Sequence, residues 1–69
     1  MIWIIKGDES YEIAAVNIAK KANHVELWVT RTNGNGLKIL ENNNLEEVQE
    51  YKEAIDFAIQ EGKRTFRIN

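Results

Sequence analysis

The stretch from Asn44 to Glu61 constrains the fold most, because its periodicity admits a single secondary structure. Placed at about 100° per residue, Val48, Tyr51, Ile55, Ala58 and Ile59 fall on one stripe, the pattern of a helix with one buried face. Asn44 suits the N-cap and Glu47 stands three positions on, so the Asn side chain can satisfy an early amide while the Glu reaches back. Gly62 ends the helix. A rod with one apolar stripe needs a second layer to bury it, and the β-branched and aromatic residues elsewhere in the chain point to a sheet.

With 69 residues the chain is expected to form a single domain, residues 1–69. A domain of this size buries only about 60% of the surface its unfolded chain exposes. There is no cysteine, hence no disulfide or thiolate metal site to reinforce so small a core, and association with another chain becomes an expected source of stability. The absence of cysteine also fits a reducing compartment, so a cytoplasmic location is the expectation. The longest apolar run, Ile2 to Ile5, is far short of the roughly 20 residues a membrane helix requires, so no membrane partner is expected. The formal charge of −2 hides an asymmetry: Leu45 to Glu61 holds Glu46, Glu47, Glu50, Glu53, Asp56 and Glu61 against Lys52 alone, a segment charge of −5 that leaves +3 for the remainder.

Taken in order, Ile2-Trp3-Ile4-Ile5-Lys6 predicts a strand broken by Gly7-Asp8. Glu9 to Ala22 fits two templates. As a helix over 9–22 it has Asp8 as N-cap, Asn23 as a left-handed C-terminal residue, and Tyr11, Ala14, Ala15, Ile18 and Ala22 on one face. As a strand, Tyr11 to Ala19 uses the β-branched Ile13 and Val16, with Lys20 to Asn23 as the turn that follows. Alanine content and the two caps favour the helix. His24 to Thr32 alternates cleanly, Asn33-Gly34-Asn35-Gly36 has the residue types of a hairpin turn, and Leu37 to Glu41 returns as a strand. Thr65 to Ile68 is the last strand, with Phe66 and Ile68 inward.

The expected class is α+β, a small two-layer sandwich in which an antiparallel sheet is covered on one face by helix 44–61 and helix 9–22. Its βαββαβ order resembles the ferredoxin-like arrangement. The resemblance rests on element order alone and implies no function. The alternative is a β-meander followed by one helix and a final strand.

Catalytic parts are scarce. His24 is the one histidine and opens a strand beside a turn, the place of an exposed edge residue. The Gly-rich turn lacks both the spacing and the basic residue of a phosphate loop. Asp8, Glu9 and Glu12 are better read as the acidic start of a helix than as cation ligands. The sequence therefore predicts no enzyme, no metal and no cofactor.

Folding rules leave two features unexplained. Phe57 lies off the buried stripe and continues the row Glu46, Glu50, Glu53, with Glu61 beyond it, which suggests an aromatic anchor whose carboxylates steer a basic protein surface. On the sheet, if Ile2, Ile4, Val25, Leu27, Val29, Phe66 and Ile68 face the helices, pleating sends Trp3, Ile5, Trp28, Thr30, Thr65 and Arg67 the other way. That open face, centred on Trp3, Ile5, Trp28 and Arg67, suits self-association into a homo-oligomer. The expected function is a non-enzymatic protein-binding or regulatory module, self-associating and using the Phe57 helix, the Trp3/Trp28 face, or both. The alternative is a single-stranded nucleic-acid-binding module that stacks bases on the two indoles, which the acidic isoelectric point of about 5.3 disfavours.

Overall fold

The computed structural model describes residues 1–68. In chain order the elements are β1 (Ile2–Lys6), β2 (Glu9–Lys20), β3 (Val25–Arg31), β4 (Gly36–Asn42), α1 (Leu45–Gln60) and β5 (Thr65–Ile68). The strands form one sheet ordered β4-β3-β2-β1-β5. β1 to β4 are a meander of antiparallel neighbours, and β5 joins β1 in parallel after the helical crossover. Small α+β organisation is as expected, but the ferredoxin-like order is not found. The expected helix 9–22 is the long strand β2, so one helix covers the sheet, and the parallel β5 makes the sheet mixed rather than antiparallel. The element order is that of the alternative, a meander followed by a helix and a final strand.

Gly7 and Asp8 explain why β2 forms. They are the two residues between the paired Lys6 and Glu9, and Gly7 has φ +61, as a II′ hairpin turn requires at its first central position. The chain therefore reverses tightly at Asp8 rather than starting a helix there, and β2 pairs with β1 from Glu9 to Ile13 and with β3 from Ile13 to Lys20. Ala14 has no register partner: pairing steps from Ile13↔Arg31 to Ala15↔Thr30, a β-bulge. The extra residue returns Val16 to the same side as Ile13, so both are buried although they stand three positions apart. A second irregularity in β4 leaves Ile39 unpaired between Lys38 and Leu40, and Ile39 is buried too.

The core is one cluster comprising Ile2, Ile4, Ile13, Val16, Val25, Leu27, Val29, Ile39 and Ile68 from the strands and Val48, Ile55 and Ala58 from α1. Tyr51 and Ile59 are half-buried against it, so the helix presents the stripe its sequence predicts. The Lys6 ammonium donates to the Ile39 carbonyl although β2 and β3 lie between the two strands. At about 4.8 Å per strand a flat sheet would put that carbonyl beyond a lysine's reach, so the sheet must curl around its buried side.

Both ends of α1 are closed by their own sequence. Asn44 Oδ1 accepts from the amides of Glu46 (3.0 Å) and Glu47 (3.4 Å). The return half of the expected capping box is absent: Asn44 N donates to Asn42 Oδ1 (2.8 Å), and the Glu47 carboxylate accepts from Asn42 Nδ2 (2.7 Å). At the other end Gly62 has φ +73, its amide bonds to Ile59 O (3.1 Å), and Lys63 N bonds to Ala58 O (2.9 Å), which is a Schellman motif. Among the described residues, no helix is long and apolar enough to cross a membrane.

Candidate functional site

Two surfaces stand out, and each follows from the periodicity of the element that carries it. The first is the solvent side of α1. Burying Val48, Ile55 and Ala58 turns Glu46, Glu50, Glu53, Phe57 and Glu61 outward, and all five are exposed. Phe57 is 58% exposed, a large apolar side chain that the fold leaves uncovered. Lys52 is held by Asp56 at 2.6 Å, one turn along the helix, so it does not neutralise the acidic row. Among the described residues, Glu46, Glu50, Glu53 and Glu61 make no salt bridge. An anion row ending in an uncovered aromatic ring can attract a basic surface at long range and offer it an apolar anchor at contact.

The second surface is the side of the sheet away from α1. Register places Trp3 beside Thr65 and Glu12, Ile5 beside Arg67 and Ser10, and Trp28 beside Asn17 and Lys38. Trp3 is 44% exposed, Ile5 and Trp28 are half-buried, and Arg67 is exposed. The two indoles are not brought together. Their β2 neighbours, Glu12 and Asn17, are separated by about 15 Å along the strand, and β2 itself lies between β1 and β3.

Trp28 instead belongs to a polar network that the sequence reading missed. Its indole Nε1 donates to Glu26 Oε1 (2.8 Å), while Glu26 Oε2 faces His24 Nε2 (2.8 Å). His24 Nδ1 lies 2.9 Å from Asn23 Oδ1. On β4, Lys38 Nζ contacts Glu41 (2.7 Å) and stands 4.0 Å from Glu26. Glu26 is consequently only 7% exposed, yet both carboxylate oxygens have partners. The indole N–H and then the imidazole hold its carboxyl below the usual range. The Lys38 ammonium likewise lowers the Glu41 carboxyl, and Glu41 raises Lys38 in return. His24 is thus half-buried in a network rather than a free edge residue.

Ligand atoms of His24, Glu26 and Glu41 all lie within 4.8 Å of one another, donors of a kind that hold metals. The Lys38 ammonium stands among them and supplies the positive charge that the two carboxylates require. The signal for this network was present as the spacing i, i+2, i+4 of His24, Glu26 and Trp28, which puts all three on one side of a strand. Comparison with protein-family models, curated proteins and solved structures gave no match.

Proposed function

We propose that this chain is a non-enzymatic protein-binding module whose solvent-facing helix docks on a basic protein surface. The observation that carries this reading is Phe57, 58% exposed on a helix whose neighbouring outward carboxylates have no cationic partner among the described residues. Charge complementarity specifies the occupant. A helix segment of charge −5 draws a surface rich in Lys and Arg, and Phe57 enters an apolar depression within it. Such a module acts by occupancy, covering a basic surface that another ligand would use.

The test is capture of a partner at low salt, its identification, and its affinity for wild type and variants. Phe57→Ala should weaken binding about thirtyfold, as loss of an interface anchor worth about 2 kcal/mol does. Glu50→Lys and Glu53→Lys should chiefly slow association and flatten its salt dependence. A partner with an acidic contact surface, or one bound equally well by Phe57→Ala, refutes the proposal.

A further inference from the structure

The two edges of the sheet are built differently. β4 is interrupted at Ile39 and carries the Lys38–Glu41 pair, both devices that keep foreign strands off an edge. β5 has no register shift and is uncovered on its far side among the described residues. Trp3 N donates to Arg64 O at 2.8 Å, which fixes the phase of the parallel ladder. Phe66 and Ile68 then turn their backbone groups toward β1, while Thr65 and Arg67 turn theirs outward. On the helix side this edge borders a groove lined by Glu47, Glu50, Tyr51, Ala54 and Phe66, with an apolar floor and an acidic rim.

We infer that β5 pairs antiparallel with β5 of a second copy, about a twofold axis at Phe66, to give a continuous ten-stranded sheet. The outward groups of Thr65 on one copy meet those of Arg67 on the other, making closed hydrogen-bonded pairs on both sides of the axis. The two Phe66 rings face each other on the helix side and fill the two grooves. Charge selects this partner and this direction. Antiparallel pairing sets Arg64 of the second copy opposite Ile68, and alternation with Phe66 puts its side chain on the helix side, beside Glu47 and Glu50. Parallel pairing of the two free edges would turn the second copy over, putting its helix and its Arg64 on the opposite face and leaving both acidic rims unmatched. The contact is isologous, so every charge pair is made twice. It does not rest on the Phe57 docking proposed above, although Glu50 borders both surfaces, so Phe57→Ala and Arg64→Glu, rather than Glu50→Lys, tell the two apart.

Sedimentation equilibrium of the full chain tests the inference. Wild type should be a dimer. Arg67→Pro removes an amide hydrogen that only the second copy uses, and proline is tolerated on an edge strand. It should raise the dissociation constant about thirtyfold, through two symmetric hydrogen bonds, with an unchanged circular dichroism spectrum. Glu50→Lys and Arg64→Glu should each be monomeric alone but form a mixed dimer when combined, because each contact then again joins opposite charges. Phe57→Ala should remain a dimer, which distinguishes failure of this contact from failure of the helix-face reading. A monomeric wild type, an unweakened Arg67→Pro dimer, or no mixed dimer from the two charge variants overturns the inference.

Discussion

Ile55 and Phe57 stand two residues apart on α1, and the fold assigns them opposite environments: Ile55 has no exposed surface and Phe57 is 58% exposed. Replacing each by alanine turns that contrast into a measurable difference. Ile55 lies in the single core cluster, so Ile55→Ala removes its transfer free energy and leaves a cavity, a loss of about 2–5 kcal/mol. At about 0.05–0.15 kcal/mol per residue, a chain of 69 residues has roughly 3–10 kcal/mol in all, so this variant stands near the edge of unfolding. Ile55→Val, at about 0.5–1.5 kcal/mol, keeps the comparison measurable if the alanine variant fails to fold. Phe57→Ala deletes a ring that faces water and should stay within about 0.5 kcal/mol of wild type. Urea denaturation followed by far-ultraviolet circular dichroism reads both. With a slope near 1 kcal/mol per molar, Ile55→Val should move the midpoint down by about 0.5–1.5 M and Phe57→Ala by less than about 0.5 M. A Phe57→Ala midpoint as low as that of Ile55→Val would mean that Phe57 is covered, and would remove the basis for the helix-face interface.

Three other perturbations probe separate parts of the account. The Trp28 indole and then the His24 imidazole lower the Glu26 carboxyl in the folded state, so its contribution to stability is full above the ordinary carboxyl value of 4.5 and is lost as pH falls through the lowered folded value. Acid unfolding below about pH 4.5 should therefore have a shallower slope in Glu26→Gln, and an identical slope would show that the Trp28 and His24 contacts do not favour the ionised form. Gly62→Ala, which forces a side chain onto φ +73 in the Schellman motif, should cost about 1–2 kcal/mol in the same urea assay, against no loss if that turn were unconstrained. Tryptophan fluorescence should not quench when single-stranded oligonucleotide is added at 50 mM salt, since the two indoles do not form one platform and Trp28 is engaged with Glu26. Salt-sensitive quenching would instead favour the nucleic-acid-binding alternative.

Helix α1, strand β3 and the last strand were legible because each follows one period without interruption, and β4, despite its irregularity at Ile39, because the Asn33 to Gly36 turn returns the chain beside β3. β2 was not, and the reason is local. The bulge at Ala14 sets the buried Ile13 and Val16 three positions apart, a helical spacing, while Ala14 and Ala15 lie on the exposed side and supply helix-favouring composition. The decisive contrary signal was Gly7-Asp8, a two-residue hairpin connector whose glycine takes φ +61. Exposure of Phe57 and of its carboxylates follows directly from the helix period. The Glu26 network required the register between β3 and β4, because only Glu26↔Glu41 and Trp28↔Lys38 pairing brings Lys38 and Glu41 beside His24, Glu26 and Trp28.

The most direct test of the docking surface is a photo-crosslinking amino acid placed at position 57, compared with the same probe at Ala22, an exposed position in the turn between β2 and β3. Illumination in a lysate of the cells that make the protein should join position 57 to a partner whose crosslinked surface is rich in Lys and Arg, with fewer adducts formed when the lysate is illuminated at high salt and none formed from position 22. Equal labelling from both positions, or labelling from position 22 alone, would contradict the assignment of the helix face as the contact.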